Sequence, residues 1–381
     1  MTSSLKIGVG AQTLLEQSAG MTSYAFGLLS EILRQDKSNF YDFLLFRSFP
    51  KKPEYMFGMG KNFSYRYQRF FPFRLFHKLY KWEIGIPLDL FFGSHDLYFF
   101  PNFVIYPHLG GKNIVVVPDL TFEKVPQYVD RQNVEFLKKF VPPSVAKADH
   151  IVTISNYTKG DLIQTYKVPD RKITVAYPGV DPVNFRPRGL EEIAAIKRKY
   201  AIEKPFILYL GTLEPRKNIP SILKAYAGLK NRQEYSLVLA GKKGWLYEEI
   251  FQTVRKLGIE KEVIFTGYIP DDDRPILMAA AQLFVFPSFF EGFGMPVVEA
   301  QACGTPVITS NTTSLPEAVG EGAILVDPEN TNELKEAMEK ILSSPKIANQ
   351  LKEKGLQNAR RFNWASSARK VIEIFNRLSK M

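Results

Sequence analysis

Glu291 and Glu299 stand eight positions apart in Glu291-Gly-Phe-Gly-Met-Pro-Val-Val-Glu299, with Gly292, Gly294 and Pro296 between them. Carboxylates are pure hydrogen-bond acceptors, so two of them around a polyol-sized gap suit a hydroxyl-rich ligand. The apolar run Leu283–Ser288 ahead of them reads as a buried strand and Met295–Cys303 as a helix, which makes the glycines a strand-to-helix turn. Such a turn lets a ligand approach bare backbone and aims helix N-terminal amides at its oxygens. Glu291 is then expected at the carboxyl edge of a sheet, where open α/β sheets bind ligands, with Glu299 just over one turn inside the helix. A solvated cap and an exposed helix residue are the plainer reading of the same two glutamates.

Leu210-Gly-Thr-Leu-Glu-Pro-Arg-Lys-Asn218 offers the complementary charge. Gly211 permits a tight turn after a strand pattern, and Thr212 follows it. Arg216 and Lys217 then set two cations just before a helix starting near Ile219. Cations together with helix amides make a diphosphate site that needs no metal. Asp271-Asp-Asp273 has the spacing of a metal pair, but these residues follow Ile269-Pro270 and open a helix, where acids favour the dipole. Neither motif supplies metal ligands, so no metal and no cofactor is expected.

Strand-like runs alternate with helical patterns along the whole chain, the signature of α/β architecture with parallel sheets. In the first half strands are expected at 5–11, 41–46, 96–101, 113–118, 150–154 and 172–176, with helices at 21–34, 131–147 and 157–166. Three prolines and a glycine in Tyr177–Pro187 stop regular structure. A charged helix at 190–200 opens a second series, with strands at 206–210, 236–240, 263–265, 283–286, 306–309 and 323–326. Two doubly wound Rossmann-like domains are expected to face each other across a cleft, a preferred place for ligands. The expected division is 1–183, 184–362 and a last helix in 363–381, capped by Asn363 and carrying an apolar stripe from Trp364 to Leu378.

Composition sets the outer limits. With 381 residues, 45% hydrophobic and 23% charged, the chain has material for two or three globular cores. Its single cysteine, Cys303, excludes a disulfide framework and a cysteine metal cage, and points to a reducing compartment. The start of the chain lacks the pattern of a signal peptide, and no stretch of about twenty apolar residues is present. The net charge of +11 is uneven. Between Lys51 and Leu90 eight Lys and Arg oppose Glu54, Glu83 and Asp89, among ten aromatic residues from Phe57 to Trp82. That mixture suits an anionic membrane surface or single-stranded nucleic acid, or else a buried aromatic cluster with arginines on its rim. Nucleic acid ranks last, because no recognition motif for it is present.

The Glu291–Glu299 segment closely resembles the Glu-x7-Glu signature of retaining glycosyltransferases of family 4, which have the two-domain GT-B fold. The Gly211–Lys217 segment resembles the part of that family that binds the donor's diphosphate, and Val263-Ile-Phe-Thr-Gly-Tyr-Ile-Pro270 resembles the segment beside the nucleobase. The resemblance implies donor contacts at Gly20, Gly211, Thr212, Arg216, Lys217, Tyr268, Ile269, Glu291, Gly292, Phe293, Gly294, Met295 and Glu299. It implies catalytic roles for Glu291 and Lys217, with Asp119 placed to contact donor or acceptor. The N-terminal domain would bind the acceptor and the C-terminal one the donor, and the last helix would cross back onto the first domain.

Three departures qualify the resemblance. Many relatives have Arg directly after the glycine where this chain has Thr212. Ser18-Ala-Gly-Met-Thr-Ser-Tyr24, expected to precede a helix, keeps only Gly20 of the usual two glycines. Val115-Val-Val-Pro-Asp-Leu-Thr121 ends its strand with Pro118 where relatives carry a histidine, so no catalytic histidine carries over, and Asp119 serves the site or caps its own loop.

The expected activity is metal-independent transfer of a sugar, with retention, from a nucleotide diphosphate sugar to a hydroxyl of a saccharide or lipid-linked saccharide. GDP-mannose ranks first, by resemblance to mannosyl- and rhamnosyltransferases of surface polysaccharide assembly. The expected location is cytoplasmic, peripheral on the inner face of the plasma membrane. The rival reading is a non-catalytic accessory or glycan-binding protein on the same fold; it is disfavoured by the retained cations and glutamates.

Overall fold

The computed structural model describes residues 4–15, 19–47, 57–58 and 60–380. Two compact units divide the chain. One contains Met1–Pro126, Arg131–Gly179 and Asn363–Met381, and the other Gln127–Asp130 and Val180–Phe362.

Among the described residues the first unit has seven strands: β1 (Lys6–Gly10), β2 (Phe40–Arg47), β3 (Phe63–Pro72), β4 (Leu97–Phe100), β5 (Lys112–Val116), β6 (His150–Thr153) and β7 (Ile173–Val175). They pair in parallel in the order β3-β2-β1-β4-β5-β6-β7. The second unit has β8 (Phe206–Leu210), β9 (Ser236–Ala240), β10 (Val263–Gly267), β11 (Leu283–Phe286), β12 (Val307–Ser310) and β13 (Ala323–Val326). Their order is β10-β9-β8-β11-β12-β13, again all parallel. Both are doubly wound sheets, as the alternation predicts. The central strands Phe-Ile-Leu-Tyr-Leu of β8 and Leu-Phe-Val-Phe of β11 are buried at every position. Helices cover both faces of such a sheet, so its strands are continuous apolar runs and not alternating ones.

The strand order of the second unit reverses between β8 and β11. From β8 the chain winds outward through β9 and β10, then returns to lay β11 on the other side of β8. The loops that leave the carboxyl ends of these two strands therefore lie side by side, at the point where doubly wound sheets open a crevice.

The segment read as aromatic and basic divides between core and surface. Part of it is β3, an edge strand missing from the sequence expectation, paired to β2 and carrying Arg66 and Arg69. Charged side chains blunt an exposed edge against further pairing. The helix Phe73–Lys81 follows, its Phe76 buried and stacked on Phe46 at 4.4 Å. Phe71 and Phe73 pack partly on the same core. Phe70, at 92% exposure, Leu75, Trp82, Ile84 and Leu90 face outward. Residues 51–56 of that segment lie outside the described residues.

The last helix, Trp364–Leu378, starts where Asn363 accepts the Ser366 N–H at 2.8 Å. Its stripe Ser367, Ala368, Val371, Ile374, Phe375 and Leu378 is buried within the first unit. Gly27 makes room for it on the helix Ala19–Gln35: a Cβ there would fall 2.5 Å from the Trp364 ring. Among the described residues no helix is long and apolar enough to cross a membrane.

Candidate active site

The two loops that leave β8 and β11 meet through charge. Lys217 closes a short 3-10 turn, Pro215–Lys217, and the adjacent helix Ile219–Ala227 begins after Asn218 in a left-handed conformation. Its ammonium lies 2.6 Å from Glu291 Oε1 and 4.7 Å above the Phe286 ring. Arg216 Nη1 lies 2.9 Å from the same oxygen and donates to the Phe290 carbonyl at 2.6 Å, while its Nη2 donates to Glu214. The Ser288 hydroxyl donates to Glu291 Oε1 as well, at 2.6 Å.

Backbone contacts hold this cluster in place. Gly211 donates its N–H to Ala240, and Gly241, at φ +146°, passes so close that a Cβ would fall 1.9 Å from the Gly211 carbonyl oxygen. Thr212 accepts the Tyr209 hydroxyl on its carbonyl. Beyond β11, the N–H of Glu291 donates to the Thr313 hydroxyl, and the Ser314 hydroxyl donates to the Glu291 carbonyl. Gly292, Phe293 and Gly294 are buried, and Gly294 turns the chain at φ +94° into the helix Met295–Ala302. That backbone angle favours glycine, and a Cβ there would also press on Leu315 Cδ2 at 2.6 Å. Met295, half-buried, is the first residue of that helix.

The electrostatics follow from this packing. Burial raises the Glu291 carboxyl. The charges of Arg216 and Lys217, with hydrogen bonds from Lys217 and Ser288, outweigh burial and hold it down at about 2. Burial and the like charge of Arg216 lower the Lys217 ammonium against the pull of Glu291 and Glu214. Glu299, 3% exposed, receives Arg274 Nη2 at 2.7 Å, yet burial first and Asp271 second raise its carboxyl. Both glutamates are thus already ion-paired, where the sequence reading had them as open acceptors. Arg216 and Lys217 from the loop after β8 meet Glu291 from the loop after β11 at this edge, and Arg274 pairs with Glu299 between the helices Asp273–Ala280 and Met295–Ala302. The paired cations are able to bind phosphate oxygens and polarise a leaving group.

The remaining predicted residues are dispersed. Tyr268 and Ile269 follow β10, Tyr268 exposed and Ile269 buried. Asp273 is occupied by Lys199 at 2.5 Å and the Tyr200 hydroxyl at 2.6 Å. In the first unit Gly20 lies in the first turn of the helix Ala19–Gln35, and not in a loop before it; Ser18 lies outside the described residues. Asp119 accepts the Thr121 N–H at 2.9 Å, which is the loop-capping role, and the Pro118 carbonyl accepts the Thr158 hydroxyl. The sequence reading missed Glu214, Arg274, Ser288 and Thr313. Ser288 and Glu214 stood inside quoted motifs, and the hydroxyl-rich run Ser310–Ser314 after β12 was the available signal for Thr313.

The Glycosyl transferases group 1 family matches residues 192–358, and Glycosyltransferase Family 4 matches residues 44–184. O-antigen chain mannosyltransferase B of Escherichia coli is 33% identical over 285 residues, 74% of each chain. The chain belongs to the family 4, group 1 glycosyltransferases. A second relative of this glycosyltransferase, the serotype-specific mannosyltransferase WbdA of Escherichia coli, is 35% identical over 237 residues. That match spans 61% of this chain and 29% of the relative. The fold is similar to that of a sucrose-phosphate synthase from Thermosynechococcus elongatus, with TM-score 0.77 over 98% and 99% of the two chains at 21% identity. It is also similar to that of WaaG, a glycosyltransferase involved in lipopolysaccharide biosynthesis, with TM-score 0.73 over 97% and 98% at 16% identity. These two likenesses concern the GT-B fold.

Proposed function

We propose that this glycosyltransferase moves mannose from GDP-mannose, with retention and without a metal, to a hydroxyl of a saccharide or lipid-linked saccharide in surface polysaccharide assembly. The observation that carries the reading is the pairing of Lys217 and Arg216 with Glu291 where the strand order reverses. Support for mannose comes from the two mannosyltransferase relatives. The C-terminal unit binds the donor: Lys217 and Arg216 hold the diphosphate, Glu291 takes sugar hydroxyls, Glu299 takes the ribose, and the backbone at Tyr268 and Ile269 lies beside the base. The acceptor binds the N-terminal unit. The bond from the sugar's anomeric carbon to the β-phosphate breaks, the acceptor oxygen bonds to that carbon on the same face, and the acceptor proton leaves with a phosphate oxygen. The cations neutralise charge that grows on the departing diphosphate, and so act most strongly in the transition state.

A thermal-shift panel of nucleoside diphosphates and their sugars tests the donor, since a specific ligand stabilises the folded chain. GDP and GDP-mannose are expected to raise Tm above the uridine and thymidine counterparts. Transfer to an acceptor extract is expected to persist in EDTA and to give the α-anomer by NMR. Loss in EDTA with rescue by Mg²⁺ or Mn²⁺ refutes metal independence.

The chain also works against an anionic membrane, where a lipid-linked acceptor resides. The outward Phe70, Leu75, Trp82, Ile84 and Leu90 stand among Arg69, Arg74, Lys78 and Lys81, with Lys78 4.7 Å over the Trp82 ring. Exposed apolar side chains interspersed along the chain with exposed cations suit an anionic lipid interface.

A further inference from the structure

We infer that Glu291 is a resident counter-anion that competes with the donor's diphosphate for Lys217 and Arg216, and that this competition makes the site prefer the nucleotide sugar over the spent nucleoside diphosphate. The inference rests on the donor reading above. Its basis is the crowding of one atom: Glu291 Oε1 takes Lys217 Nζ at 2.6 Å, Ser288 Oγ at 2.6 Å and Arg216 Nη1 at 2.9 Å. The Lys217, Arg216 and Glu291 side chains are 11%, 19% and 11% exposed, so water is a poor substitute for any partner withdrawn.

A diphosphate that draws the two cations to itself leaves Glu291 a buried carboxylate stripped of two charge-assisted bonds. Such a group is costly until other donors reach it. The hydroxyls of a donor sugar are such donors, since each brings an O–H to an acceptor-only group. A bare nucleoside diphosphate brings none. The nucleotide sugar therefore repays the displaced contacts and the product does not. After transfer, Glu291 recaptures Lys217 and Arg216 and favours release of the product. Ser288, 0% exposed and itself held by the Ser310 hydroxyl through its carbonyl, is the fixed third donor that keeps Glu291 in place during the exchange.

Glu291→Gln tests this, because it keeps the size and an acceptor oxygen and removes the charge. Calorimetric titration would compare the best-binding nucleoside diphosphate of the thermal-shift panel with its sugar nucleotide. In Glu291→Gln the bare diphosphate is expected to bind about tenfold tighter than in wild type, the scale of one charge-assisted contact. The sugar nucleotide is expected to bind no tighter, so the preference between the two shifts by at least the same factor. Ser288→Ala gives the opposite sign. It removes a donor that Glu291 would otherwise keep, so displacing the cations costs more and the bare diphosphate binds several-fold weaker. This second variant stands as the test if Glu291→Gln shows no cooperative melt. Equal or weaker binding of the bare diphosphate by folded Glu291→Gln overturns the inference while the donor reading stands, as does equal or tighter binding by Ser288→Ala. Failure of wild type to bind any nucleotide of the panel overturns both.

Discussion

The N–H of Glu291 donates to the hydroxyl of Thr313 at 3.2 Å, and Thr313 makes this contact from a positive φ of 56°. A β-branched residue in that region is a conformational outlier, with a cost on the order of 1–3 kcal/mol. The strain sits on the loop that fixes a proposed sugar-binding carboxylate, and so stability and function are expected to pull apart there. Thr313→Gly relieves the backbone and deletes the hydroxyl. Tm is expected to hold or rise while kcat/KM for the donor falls. A lower Tm with unchanged kcat/KM would refute this assignment.

Lys217→Ala removes one of two cations from the proposed leaving group. Loss of one such stabilising contact lowers kcat on the order of 10²–10³-fold. It also deprives Glu291 of a neighbour that holds its carboxyl down, so that carboxyl is expected to rise from about 2. Steady-state kinetics on a variant shown to be folded by circular dichroism provides the check, and an unchanged kcat/KM would remove Lys217 from the site.

His150 sets an acid limit on the first unit. Its Nδ1 accepts from Arg377 at 3.1 Å and its Nε2 meets the Thr174 hydroxyl at 2.8 Å, a pattern that needs the neutral ring. Burial first, then Arg377, Lys172 and Lys159, lowers it from 6.5 to about 4. The unfolded chain therefore binds the proton more readily. The stability owed to neutral His150 is complete above about pH 6.5 and is lost as pH falls toward 4. Urea unfolding from pH 7 to 4 is expected to show a smaller loss in His150→Gln than in wild type. Equal slopes would place the acid sensitivity elsewhere.

Flotation with vesicles checks the membrane reading. Wild type is expected to rise with anionic vesicles at low salt and to remain below with neutral ones. Each basic residue near the surface contributes roughly 1 kcal/mol, screened as salt rises. Trp82→Ala combined with Leu90→Ser is expected to reduce recovery without lowering Tm, since both side chains already face water. Equal recovery on neutral and anionic vesicles would leave the segment as core packing with an exposed rim.

The sequence alone determined the architecture and the chemical character of the site. A parallel strand covered on both faces is apolar at every position, so the central strands β8 and β11 were readable to the residue, as were the largely apolar runs of β9 and of the edge strand β13. The strand-to-helix glycines and the two-cation turn were readable because backbone angle and charge are local properties. The edge strand β3 was not. Its faces differ in burial, and its aromatic and basic residues fit a surface as well as a sheet.

Only the tertiary structure decided which charge meets which. Lys217 and Glu291 are 74 residues apart and touch because β11 returns to lie against β8, a pairing that no local pattern encodes. The same holds for Arg274 and Glu299, and for Thr313 beneath Glu291. Burial and these new neighbours then reset the protonation of both groups: Arg216 and Lys217 hold Glu291 low against burial, while burial pushes Glu299 up. Spacing along a chain specifies which groups are available; the order of strands in the sheet, and the water it excludes, specifies what those groups do to one another.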